Sequence, residues 1–443
     1  MKNYNIPKEE QLTEDKIIKI IQDFTTIVIP QFNKKWKYYE GRHQILYKEA
    51  TDEGKPNNKV VTNFVKNIVQ QYSGYATGIP VSYQSDEEGF EELIDILNYN
   101  DVDAEDVEFL KQALIFGRAA EICYLDEEGK TRFTYDDVRN IIPIYSADLN
   151  NDMLYAIRLI KNKLTTEDVA DIYVEVYDST YVTIYKSTEG YHSLDLLDKH
   201  VHNFSQCPVT ILKLNEEEEG VAETVFSLQD AYNNLNSGAL DDWDAFVDSL
   251  LVLKGGIADD EDLAAMKKHR VLMLPNEGQD AYYLSRDTST TNITYLLDNA
   301  ETKIYELAHC PNFNDEKFGT SSGIAIRYKM MPMENVTANF MYNFKKALQR
   351  RIELISDIVA KINGEQLWRD ISIQFTRNIP SDLSDIANQI NGFRGLVSDE
   401  TLLSQIPFVD NPEEEIEKVS KQQEKEMELA YKWTTDSEGS RER

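Results

Sequence analysis

AETVFSLQDAYNNLNSGALDDWDAFVDSLLV occupies residues 222–252. Its apolar residues recur at helical intervals, with Leu228, Ala231, Tyr232, Leu235, Ala239, Trp243, Phe246 and Leu250 on one side. Asp230, Asp241, Asp242, Asp244 and Asp248 lie on the other. The spacing predicts one long amphipathic helix, stopped by Gly255 and Gly256. A second helix is expected from about Thr290 to Cys310, with Ile293, Leu296, Leu297, Ala300, Ile304, Leu307 and Ala308 in its stripe and Pro311 ending it. Between the two lies a compact insert. It reads as a short helix opened by Asp259 and Asp260, then strands at 271–274 and 281–284 around a turn at 275–278.

Toward the C-terminus, a polar, glycine-bearing loop is expected over 312–329. Pro332 then marks a helix start, and the helix runs to about Asn363 through Phe340, Phe344, Leu348, Ile355 and Ile362. A strand follows at 371–375. Short helices begin at Ser381, and a charged helix at 413–431 precedes a polar end. Toward the N-terminus, residues 12–48 predict two helices broken at Pro30, and 60–75 a third. Residues 86–108 hold eleven acids and no base. Phe90, Leu93, Ile94 and Leu97 still mark a helix face there, so a solvated helical patch is expected. A helix passes into a strand over 109–125. Strands then dominate to about Leu214, with a hairpin of 174–177 and 181–185 turning at 178–180, before the acidic loop 216–219. The expected class is α+β, mainly helical.

Acids outnumber bases 78 to 46 in the 443 residues, a formal net charge of −32. Gripping nucleic acid by neutralising phosphates needs clustered Lys and Arg, so a chain of this charge would handle DNA by enclosing it or through a few local bases. Cys123, Cys207 and Cys310 are too few and too far apart for a disulfide framework or a metal knuckle, and read as buried thiols. The first ten residues hold no apolar signal core. No apolar run approaches the roughly 20 residues that span a bilayer, so assembly in the cytoplasm without a membrane is expected.

No motif here builds a catalytic centre. Gly129-Lys130-Thr131 lacks the upstream glycine of a phosphate loop and follows three acids, so it reads as a hairpin turn. Gly319-Thr320-Ser321-Ser322-Gly323 follows polar residues that cannot form the buried strand of a nucleophile elbow. All six histidines precede Ser321, which excludes the order serine, acid, histidine. His200 and His202 share one face of a strand but have no third ligand at a recognisable spacing. Lys267, Lys268 and Arg270 form the densest basic run, suited either to a helix C-terminus or to docking an acidic partner or DNA. No cofactor or metal is expected. An enzyme stands as the different-class alternative.

Several stretches, in order, resemble the portal proteins of tailed bacteriophages with long non-contractile tails that infect Gram-positive hosts. They are Asn63-Phe64-Val65-Lys66 leading to Gly74-Tyr75 and Gly78-Ile79-Pro80-Val81, then Leu251-Val252-Leu253-Lys254-Gly255. Phe318-Gly319 through Ser322-Gly323-Ile324-Ala325-Ile326-Arg327-Tyr328-Lys329 follows, then Glu334, Arg350-Arg351 and Phe375-Thr376-Arg377-Asn378-Ile379-Pro380. The likeness covers roughly residues 10–430, and another phage head-assembly or adaptor protein is the nearer alternative reading.

The resemblance implies a wing (1–221), a first stem helix (222–252), a clip (253–286), a second stem helix (287–311) and a tunnel loop (312–330). A long helix and strand returning to the wing (331–380) and a short crown with a charged tail (381–443) complete the layout. It also implies a homo-oligomeric ring of about twelve subunits at the capsid vertex of the virion, assembled in the host cytoplasm, that passes double-stranded DNA during packaging and ejection. Implied partners are the terminase, a head-completion or adaptor protein, and the major capsid and scaffolding proteins. In that layout Lys317, Gly319, Gly323, Arg327 and Lys329 meet DNA, and Lys267, Lys268 and Arg270 dock the motor. Asp241, Asp244 and Asp248 are expected on the channel wall, where like charge would let DNA slide.

Overall fold

The computed structural model describes residues 4–50, 56–87, 89–163, 171–247, 250–254, 280–284, 290–313, 323–363, 370–378, 390–403 and scattered positions to 425. The chain divides into two units, Met1–Thr320 with Tyr328–Asn378, and Ser321–Arg327 with Ile379–Arg443.

The first unit opens with strand β1 (Tyr4–Ile6) and helices α1 (Glu14–Asp23) and α2 (Ile29–Glu40), joined by one wide π turn over Phe24–Val28. Pro30 does not break this run as expected. It sits in the first turn of α2, where no N–H donor is needed. Ile17, Ile21, Phe24, Val28 and Phe32 form one buried line along both helices. Helix α3 (Phe64–Thr77) is capped by Asn63, whose side chain accepts from the Lys66 N–H, and β2 (Ser82–Gln84) follows. The acid-rich stretch is helical: α4 (Phe90–Tyr99) buries Leu93 and Leu97 and turns its acids outward. Helix α5 (Val102–Phe116) packs against α2 and α3 and ends at Gly117, whose φ of 79° only glycine adopts without strain. A β-carbon there would collide with the Glu218 carbonyl.

Eight strands follow: β3 (Arg118–Leu125), β4 (Thr131–Asp136), β5 (Ile141–Ser146), β6 (Met153–Asn162), β7 (Asp171–Tyr177), β8 (Tyr181–Ser187), β9 (Leu194–Val201) and β10 (Val209–Lys213). They form a six-stranded sheet, β1-β5-β6-β7-β8-β9, and a three-stranded sheet, β10-β3-β4. Ala120, Ile122 and Val209 from the smaller sheet meet Ile141, Ala156, Tyr177 and Val182 from the larger in one core cluster. The expected hairpin is β7–β8, closed by the Asp178 carboxylate, which accepts from the N–H groups of Thr180 and Tyr181. Gly129 turns the β3–β4 hairpin with φ 77°. The acidic loop after β10 is not wholly solvated. Glu218 is buried between Arg118 and Lys213, at 3.5 and 3.0 Å.

Helix α6 (Phe226–Val247) is shorter than its sequence pattern suggests. Leu250–Lys254 is not its last turn but strand β11, paired antiparallel with β12 (Asp280–Leu284). The apolar run before Gly255 fits either helix or strand, and cross-strand pairing wins. Strand 281–284 was expected; its anticipated neighbour at 271–274 lies outside the described residues. Helix α7 (Thr290–Leu307) packs against α6. Helix α8 (Gly323–Asn363) has 41 residues, about 60 Å at the helical rise. It starts well before Pro332, which lies inside it and leaves the Tyr328 carbonyl without an intrahelical donor. The second part of the expected loop, from Gly323 onward, is therefore helix. Strand β13 (Ser372–Gln374) pairs with β2. In the second unit, α9 (Asp399–Leu403) buries Leu402.

Candidate functional site

The apolar stripe on 222–252 predicts that α6 turns its polar face to solvent. The structure reverses part of this. Gln229, Asn233 and Ser237, one helical turn apart, are fully buried, whereas Leu240 and Trp243 are exposed. The extended segment 58–64 lies along the polar face. The N–H groups of Phe64, Thr62, Val60 and Asn58 donate in turn to Gln229 Oε1, Asn233 Oδ1, Ser237 Oγ and Asp241 Oδ1, at 2.9, 3.0, 3.0 and 2.6 Å. The match is geometric. Four helix residues rise about 6 Å, and two extended residues about 6.6 Å, so every second N–H meets every fourth side chain. Gln229 Nε2 also donates to the Thr62 carbonyl at 2.6 Å, completing the backbone's needs as a neighbouring strand would.

Asp241 continues this ladder. It accepts from Lys48 Nζ at 3.0 Å and from the Asn58 side chain at 3.0 Å, and Asp244 accepts from Asn58 at 2.8 Å. Burial alone would raise the Asp241 carboxyl, but the Asn58 and Lys48 bonds hold it below the usual range. Asp241 is thus a brace for the 48–58 segment, which the sequence reading missed. Asp248 lies outside the described residues.

His43 closes the ladder's inner end. Its Nε2 donates to the Tyr38 carbonyl at 2.9 Å, and its Nδ1 accepts from Asn233 Nδ2 at 2.8 Å, which fixes the neutral tautomer. Burial pushes its pKa down, against the Tyr38 bond and Asp230. A depressed folded-state pKa means stability is complete above the unfolded value, about 6.5, and falls as the pH drops below it. Denaturation midpoints are therefore expected to fall between pH 6.5 and 5, and His43→Gln to flatten that slope.

A second brace fixes α8. Arg351 is fully buried and bidentate on Glu121 of β3, with Nε at 3.0 and 2.9 Å from the two oxygens and Nη2 on Oε2. Its Nη1 meets Asp106 of α5 at 2.5 Å, and its plane lies 4.4 Å over Phe133. Burial raises both carboxyls, and Arg351 opposes the rise. Next to it, Arg350 donates to the Gln206 side chain and to the Cys207 carbonyl at 3.1 Å, tying α8 to the connection between β9 and β10.

Of the expected DNA-contacting residues, Gly323 opens α8, Arg327 and Lys329 are exposed on its first turns, and Lys317 and Gly319 lie outside the described residues. Lys267, Lys268 and Arg270 also lie outside them. His200 pairs with Asp198 at 3.0 Å. His202 instead donates through Nε2 to the Asp178 carbonyl at 3.1 Å and accepts from the Phe204 N–H, so the two imidazoles do not converge. Among the described residues no group of three His, Cys, Asp or Glu side chains is placed to hold a metal ion. All three cysteines are buried and free. No described helix is long and apolar enough to cross a membrane.

Two packed sheets and helices braced by buried ion pairs make up the described core of the first unit. Residues 19–429 match the family described as phage portal protein, SPP1 Gp6-like, and the chain belongs to that family. It is 23% identical over 416 residues to a portal protein of Bacillus phage SPP1, covering 89% of this chain and 81% of the relative. To a portal protein of Clostridium phage phiCD119 it is 22% identical over 416 residues, covering 85% and 89%.

Proposed function

We propose that this chain assembles into a closed head-to-tail ring of about twelve copies at one capsid vertex, and that double-stranded DNA passes through the ring during packaging and ejection. The match to the portal family over residues 19–429 carries this reading. In it, 1–221 is wing, α6 and α7 are the stem, and the segment around β11 and β12 is the clip. Lys267, Lys268 and Arg270 of the clip dock the terminase and later the adaptor protein. The ring contacts capsid and scaffolding proteins and is built in the host cytoplasm.

Lys317, Arg327 and Lys329 meet phosphates, and Gly319, with Gly323 at the start of α8, lets the segment between α7 and α8 follow the duplex. Because Asp241 is half-buried and bound to Lys48 and Asn58, the channel wall role falls to Asp248 and to Asp244, which is exposed although it accepts from the Asn58 side chain. Lys317→Ala is expected to lower packaged DNA per head several-fold, and Asp244→Asn with Asp248→Asn to slow DNA exit. Packaging and ejection rates in phage complemented with each variant check both. Unchanged rates in both would remove these residues from the channel.

A further inference from the structure

Acids outnumber bases 78 to 46 in the whole chain, yet Pro30–Lys66 holds eight bases against four acids. Lys34, Lys37, Arg42, Lys59 and Lys66 from this stretch are exposed. They surround aromatic rings. Lys66 Nζ lies 5.8 Å from the Tyr39 ring, Trp36 is 5.4 Å from Tyr39, and Tyr47 is 66% exposed. Two hydrogen bonds link the segments of this face: Asn63 Nδ2 donates to the Tyr39 carbonyl at 2.9 Å and Lys59 Nζ to the Leu46 carbonyl at 3.0 Å. Tyr47 is exposed and Trp36 and Tyr39 are half-buried, and aromatic rings among cations at a surface suit a protein contact.

The same unit carries the opposite charge elsewhere. Asp86, Glu87, Glu91, Asp95, Asp101 and Asp103 are exposed on and beside α4, with no base between Asp86 and Glu108. This surface borders β4, since Asn100 at the end of α4 donates to the Thr131 carbonyl at 3.0 Å and accepts from the Phe133 N–H. The basic face borders α6 instead, where Lys34 lies 6.0 Å from the Phe226 ring.

A head-to-tail ring needs two different, complementary patches on every copy. Copies that each carry −32 repel unless their contact sets opposite charges together. We propose that the basic, aromatic face of α2 and the start of α3 docks on the acidic α4 face of the next copy. The occupant is a second copy of this chain, and the inference rests on the ring reading above.

Two variants test it. Lys34→Glu with Lys66→Glu makes both faces acidic, and Glu91→Lys with Asp95→Lys makes both basic. Each alone is expected to keep wild-type circular dichroism and to lower the assembled fraction at least about tenfold at low salt, read by sedimentation velocity. An equimolar mixture is expected to recover assembly, because reversed faces then meet only in alternating order. All four substitutions in one chain should also assemble. Single-face variants that assemble like the wild type overturn the inference while leaving the ring intact. So does a lysine variant that assembles but no longer retains DNA, which would make this a nucleic-acid surface. A wild-type chain that never assembles overturns the ring reading and this inference together.

Discussion

Arg351→Met is expected to destabilise the protein by about 3–5 kcal/mol, because it leaves Glu121 and Asp106 buried with no counter-charge. Both carboxylates are almost completely excluded from solvent, and Arg351 meets each of them within 3.0 Å. The guanidinium is also the only cation in this cluster among the described residues, so no neighbour takes over. Glu121→Gln should behave very differently. It leaves Arg351 and Asp106 as a one-to-one pair, and the amide oxygen still accepts from Arg351, so a cost of about 1 kcal/mol is expected. Urea midpoints of the two variants separate these outcomes, and equal losses would mean that packing, not charge, holds α8 to β3 and α5.

Asn233→Leu should cost about 2–4 kcal/mol, since it removes the acceptor for the Thr62 N–H and the donor to His43 while keeping the side-chain volume. The loss is local in origin. Hydrogen exchange at Thr62 and Phe64 should accelerate well before exchange in β7 or β8. Asn233→Asp keeps the Thr62 acceptor but offers His43 a carboxylate, so His43 should take up a proton. Its folded pKa then lies above the unfolded value, and its contribution is present at low pH and lost as pH rises through the folded pKa. The wild-type acid sensitivity should reverse. If Asn233→Leu leaves exchange at Thr62 unchanged, the 58–64 segment is held by something other than α6.

The β7–β8 hairpin, the α5-to-β3 passage and helices α6 and α7 are legible because each advertises itself in local periodicity or turn chemistry. Residues 86–108 read correctly as helix because Leu93 and Leu97 keep the helical interval among the acids. The α6 ladder was not legible in the same way. Gln229, Asn233, Ser237 and Asp241 look like a solvent face until the segment they bind is known, and that segment is over 160 residues away in the chain. The interval itself was the available signal: an amide, an amide, a hydroxyl and a carboxylate, each four residues apart. Strand β11 was read as helix because Leu250 continues the α6 spacing after Phe246, and only its partner at Asp280–Leu284 decides otherwise. Pro332 misled for a related reason, as the packing of α8 overrides a proline's preference for a first turn. Arg351 was noticed as part of a motif, but its two buried partners come from elements that sequence does not bring together.

Negative-stain electron microscopy of the purified protein, averaged along the particle axis, shows directly whether it forms a ring. Particles with a central hole and about twelve-fold rotational symmetry are expected. Folded but uniformly monomeric particles at every salt and protein concentration would contradict the ring.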